Sequence, residues 1–453
     1  MKIFFSLILL LFFSLLLNAT TWTVIQDGSG HFTTITAAMN TAISGDTIIV
    51  HPGIYYEHID FSGKNLTLTS LYEPGGDDSI ISNTIIDGYH QDQVVAFQSG
   101  ETRDAVIHGF TIHHGLTGKR ENRHKGGGIY IANGAGPTIS YCIIEHNRAY
   151  EGAGIRTYLA GNPFLKGNII RYNHGFYGYG GMTTGNPYSY TEFCDVELNS
   201  VYMNHGPRGS DFFISAPQPS IHLETMTIFG NDLYIMGLSN NVDPNFTITA
   251  NNAIIEPIAS DLYISPTGCD TNSGTSPDDP LQTLAMAMLM IDADSTNIRT
   301  IYLAEGTYSA SLNNQLFPIQ NRSYVNIIGA NMETTILDGE DNLFFFRTWR
   351  RGYPAEWHLI YDVNIKNLTL MRGGSYDYHS IEGAFFIRYV RNFHMENIRI
   401  RDSYTDGSTA AIGSGDNFTV KNLEIKYSTG HRAFWISLEE EPYYAYLENI
   451  RIH

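Results

Sequence analysis

Three cationic side chains recur directly after an asparagine: Arg148 in EHNRAY, His174 in RYNHGF and His205 in YMNHGP. Cations held one above another repel, so such a stack needs a counter-charge. An acidic ligand lying along it would supply one. The plainer alternative is a solvated turn with both imidazoles neutral. A basic loop, GKRENRHK, adds Lys119, Arg120, Arg123 and Lys125 to a chain of formal net charge −19. Aromatic loops follow it: Tyr177 and Tyr179 in GFYGYGG, Tyr188 and Tyr190 in NPYSY. Sugars stack on aromatic faces and are gripped at their edges by polar groups. These loops have that composition, set against a reading as ordinary solvated turns.

The elements that must position these residues form a repeat. In the first half, apolar pairs lead to an asparagine in CIIEHN, NIIRYN, NSVYMN and MTIFGN, at Asn147, Asn173, Asn204 and Asn231, in steps of 26, 31 and 27 residues. In the second half, KNLTL, ENIRI, KNLEI and ENIRI carry Asn367, Asn397, Asn422 and Asn449, in steps of 30, 25 and 27. Leu368 and Leu370, Ile398 and Ile400, Leu423 and Ile425, and Ile450 and Ile452 flank the polar Thr369, Arg399, Glu424 and Arg451. That alternation is a strand with one face in a core and one in water. A period in the twenties with short β-rich runs predicts a solenoid whose coils stack about 4.8 Å apart. The asparagines suit stacked turns, since they tolerate left-handed φ and bond to backbone. Cys142, Ile144, Ile170, Val201 and Ile228 are predicted to face inward, in line.

A longer repeat overlies this one. TIIDG at Thr84–Gly88 returns as TILDG at Thr335–Gly339, 251 residues later. Each is preceded by a Gly/Ser/Asp turn, a short amphipathic helix (near 33–43 and 281–292), a strand, and a Gly-x-Tyr turn ending at Tyr55 or Tyr308.

Both halves resemble the right-handed parallel β-helix of the pectin-lyase-like superfamily. QDGSGHFTTITAAMNTAISGDTIIVHPGIYYE resembles the opening of pectinesterase-type chains. LYISPTGCDTNSGTSPDDPLQTLAMAM resembles the module that opens many secreted bacterial β-helix proteins. The resemblance implies an all-β right-handed parallel β-helix solenoid in which a short helix plugs the open end of each stack. Two plugs imply two tandem β-helices, at 20–258 and 261–453, with a boundary near Glu256–Ser260. One continuous solenoid with an inserted helix is the alternative. The final strand beat stops at His453 without a closing cap, which reads as a truncated second domain.

The superfamily includes polysaccharide lyases, hydrolases, esterases and non-catalytic adhesins, and fold alone does not choose among them. Of the pectinesterase motifs, SDFFIS around Asp211 matches one loosely and the others are missing. Of the polygalacturonase pattern, Asp406, Asp416 and His431 occur in the right order. The two aspartates are only 10 residues apart, less than one coil, which reads better as turns than as an acid–base pair on neighbouring coils. Pectate lyases hold Ca²⁺ with several carboxylates; no aspartate column recurs here, so no metal or other cofactor is assigned. Asp211, Asp406, Asp416 and His431 stand as weak catalytic candidates, and no motif decides whether the chain is an enzyme.

Composition bounds the rest. With 453 residues, 43% hydrophobic and 16% charged, the chain has material for a sizeable core and is not a disordered type. Its acidity excludes general nucleic-acid binding. Lys2, the apolar run Ile3–Leu17 and Ala19 have the layout of a signal peptide spanning 1–19. No later stretch is apolar enough to span a bilayer. Cys142, Cys194 and Cys269 fit no disulfide or zinc framework. The expectation is a secreted or cell-surface protein whose partner is a polysaccharide or cell-surface glycan. A lyase or hydrolase acting on acidic glycans and a purely structural adhesin stand beside it.

Overall fold

A computed structural model describes residues 19–118, 125–184, 191–206, 210–214, 220–228, 236–238, 246–341, 344–347, 360–374, 382–405, 408–430, 432–438 and 444–453. In the first half the chain winds through three parallel sheets in turn. One coil runs Thr138–Ser140, Ile143–Glu145, Ile155–Thr157; the next runs Phe164–Lys166, Ile169–Arg171, Met182–Thr184. Each strand pairs in parallel with its counterpart one coil on. Because side chains alternate along a strand, the middle residue of each three-residue strand in the first two sheets points inward. Ile112, Ile144, Ile170, Val201 and Met226 thus form one buried file. Cys142 lies inside as predicted, unpaired. Ile228 does not continue the file: Met226 takes its place, and Ile228 packs beyond the strand end in the core shared with the second half.

The asparagines tie the coils together. Asn173 Oδ1 accepts from the backbone and side-chain amides of Asn147 at 3.1 and 3.0 Å, and Asn204 Oδ1 does the same for Asn173 at 3.0 and 2.9 Å. Each amide is buried yet satisfied, which removes the cost of enclosing it. In this half the residue before the asparagine takes the left-handed turn (His146, Tyr172, Met203). In the second half the asparagine itself does (Asn367, Asn397, Asn422, Asn449). There the side chains form a second ladder at 2.7–2.9 Å.

The two opening modules match in detail. Helix Ile35–Thr41 is N-capped by Thr34, and helix Leu284–Met290 by Thr283. Lys64 donates to the carbonyls of Met39 and Ala42 at the first helix's C-terminal end, and Arg322 donates to Met288 in the second, a favourable place for a cation. Tyr55 and Tyr308 are buried, and each hydroxyl donates to a carbonyl four residues back at 2.9 Å.

Strands from Leu262 onward form their own parallel sheet. The predicted beats stack there in register: Leu368 with Ile398, Leu423 and Ile450, and Thr369 with Arg399, Glu424 and Arg451 on the outer face. Phe176, Ile228 and Ile255 of the first half belong to the core of the second, with Leu116 and Met203 packed against it. The halves therefore meet along an apolar seam.

Candidate functional site

The structure stacks Arg148, His174 and His205 on successive coils but does not offer them to a ligand. His174 and His205 are 6% and 4% exposed. Their Nε2 atoms meet the carbonyl oxygens of Phe317 and Pro318 at 2.8 and 3.1 Å. A carbonyl only accepts, so each Nε2 carries a proton and donates it. Burial holds His174 well below its usual pKa and His205 down to about 4. The Arg148 guanidinium lies 5.6 Å from the Phe176 ring centroid. The expected open column is a sealed seam, because the loop carrying Phe317 and Pro318 covers it.

The other candidates scatter. Asp211 is fully buried. Its Oδ1 accepts from both amides of Asn204 at 3.2 and 2.9 Å, and its Oδ2 accepts from the Thr227 hydroxyl at 2.5 Å. It ends the asparagine ladder, buried and held by these three hydrogen bonds. Asp416 pairs with Arg391 at 3.3 Å, and Lys125 with Asp92 at 3.2 Å. Tyr177 stacks on Tyr150 at 4.2 Å. Tyr179 is buried, stacked on Phe213 at 4.0 Å, so it is no open sugar platform. Lys119, Arg120, Arg123, Tyr188, Tyr190, Asp406 and His431 lie outside the described residues.

Chemistry gathers on the outer face of the second sheet. Parallel pairing lines up Asp87, His113, Glu145, Arg171 and Tyr202 across five coils. Glu145 Oε2 accepts from Arg171 Nε at 2.7 Å, and Arg171 Nη1 donates to Tyr202 at 3.2 Å. Beside this line runs a corner of His114, His146, Tyr172 and Met203, all at φ 53–56°. In a plain strand His114 would point opposite to His113; the left-handed turn brings both rings to one side. They stack at 4.0 Å and 13°, with His90 4.6 Å beyond. His146 stacks on Tyr172, and Tyr56, Tyr89 and Tyr172 are exposed.

Asp87 organises one end. Its Oδ1 accepts from the Tyr89 amide at 2.8 Å, and its Oδ2 lies 3.1 Å from His114 Nδ1 and 3.2 Å from His113 Nε2. Burial pushes the carboxyl up, but the Tyr89 amide and the two histidines outweigh it and leave its pKa below the usual value. Burial first, and then His114, lower the pKa of His113 and His90; burial lowers that of His146. The face thus presents imidazoles, those of His90, His113 and His146 with lowered pKa, an acid–guanidinium pair and open aromatic rings. Among the described residues, Asp87, His113 and His114 are the group placed to share a metal ion.

Sequence reasoning passed over this face because it was anchored on asparagine. Gly115 stands where Asn147 stands one coil later, so that alignment starts one coil after His113. Reading the residues before the asparagine (TIIDG, TIHHG, CIIEHN, NIIRYN, NSVYMN) would have aligned it.

Comparison with known proteins agrees with the coil geometry. The family described as right handed beta helix region matches residues 73–256. The chain is a right-handed β-helix protein of the pectin-lyase-like kind. A family described as a protein of unknown function (DUF1565) matches 266–347 of this β-helix chain, where the second opening module begins. A pectate lyase of Emericella nidulans is 31% identical over 167 residues, which are 35% of this β-helix chain and 38% of the lyase. The match thus spans well under half of that relative. Two solved structures superpose loosely on this β-helix. A pectin methylesterase from carrot has 12% identity and a TM-score of 0.26, over 76% of this chain and 88% of that one. A PL6 family alginate lyase has 9% identity and a TM-score of 0.21, over 95% and 100%.

Proposed function

We propose that this β-helix binds an extended polysaccharide across its coils, on the outer face carrying Asp87, His113, Glu145, Arg171 and Tyr202. The observation that carries this reading is the in-register line of polar groups flanked by exposed Tyr172 and Tyr89. Aromatic platforms with polar groups at their edges are how proteins hold sugars. The sequence likeness to a pectate lyase supports an acidic glycan as the ligand. Export fits such a ligand: residues 1–19 have a leader's layout, and no helix among the described residues is long and apolar enough to cross a membrane.

The test is electrophoresis of the chain through gels with and without pectate. Retardation that weakens in Tyr172→Ala and Arg171→Ala supports the reading; equal migration with and without pectate overturns it.

A second reading, cleavage of the bound glycan, is favoured by one feature of the same face. His113, whose pKa is lowered, lies beside the Glu145–Arg171 pair. A neutral imidazole can act as a general base. Appearance of unsaturated sugar ends on incubation with pectate would establish a lyase. Binding without them would leave the face a recognition surface.

A further inference from the structure

We infer that Asp87, His113 and His114 form a binding site for a divalent transition-metal ion of the zinc class. The three side chains come from adjacent coils and converge because of the register and the corner. Asp87 pairs with His113 through parallel strands, and the left-handed His114 returns its ring to the same side. The carboxylate Oδ2 lies 3.2 Å from His113 Nε2 and 3.1 Å from His114 Nδ1, and all three donor atoms fall within 4.8 Å of one another. Zinc bonds to nitrogen and oxygen run about 2.0–2.1 Å, which sets neighbouring donors of a tetrahedral ion about 3.3 Å apart. The two spacings to Asp87 suit such an ion, and the imidazoles, stacked 4.0 Å apart and 13° from parallel, must rotate for both lone pairs to meet it.

One atom points to a ligand more directly. His113 Nε2 is covered from solvent, yet makes no hydrogen bond of proper geometry, although Asp87 Oδ2 is close. A buried polar atom left in that state calls for a partner. An ion held between the two would satisfy the nitrogen lone pair and the carboxylate together. The donor set names the class: two imidazoles and one carboxylate suit zinc and its neighbours, whereas Ca²⁺ takes a cage of oxygens. Three protein donors leave a coordination position for water or an anionic group.

The site shares Asp87 and His113 with the proposed glycan face, so it is tested without sugar, and zinc binding can fail or hold independently of pectate binding. Metal-free chain is dialysed against Zn²⁺ and, separately, Ca²⁺, and bound metal is measured. One zinc per chain is expected and no bound calcium. Asp87→Asn keeps the Oδ1 contact to the Tyr89 amide, and His114→Ala alters a side chain at the rim; each should keep the melting transition while weakening zinc at least tenfold. His222→Ala, at an exposed histidine elsewhere, should change nothing. Co²⁺ should give visible d–d bands that vanish in both site variants. Zinc uptake equal in the parent, Asp87→Asn and His114→Ala, uptake that follows His222, or preference for calcium would each overturn the assignment.

Discussion

Asp211 closes the ladder that Asn204 passes upward: one carboxylate oxygen accepts both the backbone and the side-chain amide of Asn204. Asn147, Asn173 and Asn204 precede it in the ladder, and the group that ends the ladder, seven residues after Asn204, is an acid that could be an amide. Burial, only partly offset by Thr227 and Asn204, pushes its pKa up to about 7. The folded state therefore holds a proton that the unfolded chain, at about 3.9, releases. Stability from this group is full below about pH 4, falls as pH rises towards 7, and is flat beyond. Asp211→Asn should remove that slope. Urea midpoints of variant and parent, compared from pH 4 to 8, should diverge in favour of the variant as pH rises.

His205 works in the opposite sense. Its pKa of about 4 in the seam lies below the unfolded value of about 6.5. The seam is fully stable above about pH 6.5 and loses stability as pH falls from there towards 4, because only the open state takes up the proton readily. Amide exchange at Gln315 and Ile319, corrected for its intrinsic pH dependence, should accelerate over that window. The double change His174→Gln and His205→Gln keeps a donor for each carbonyl and should flatten the acceleration.

Ile170 lies mid-file, fully buried between Ile144 and Val201. Ile170→Asp would enclose an unpaired charge and should cost several kcal/mol, enough to melt its coil and its neighbours. A melting curve like the parent's would refute the register.

Tyr308→Phe removes a buried hydroxyl and leaves the Ala304 carbonyl without that donor. The loss should be about 1–2 kcal/mol. Tyr55→Phe should match it, since His51 holds the same place in the first module. Thermal denaturation of the two variants checks both the size and the equality.

The coil structure was legible because alternation and period are local. Leu368, Leu370 and their counterparts announce both the strand and its register, and Thr34 and Thr283 begin helices where caps belong. The column of Arg148, His174 and His205 was also read in the right register. What the sequence did not disclose is that Phe317 and Pro318, more than a hundred residues away, lie over it. Covering is a property of how two halves dock, and no local spacing records it. The ladder position of Asp211 is hidden for a related reason: a carboxylate at the end of a stack of amides reads, residue by residue, like one in a turn. The Asp87–His113–His114 cluster was missed because Gly115 breaks the asparagine pattern at that coil.

The seam also orders events in time. His174 and His205 are made 143 and 113 residues before the carbonyls they finally meet. As the chain leaves the ribosome, the first coils can assemble while that flank, with Leu116, Phe176 and Met203, still faces water. It becomes dry only when Phe317 and Pro318 arrive. A nascent chain paused between the halves therefore displays a strip of greasy surface that the finished molecule never shows, and a chaperone would find it there.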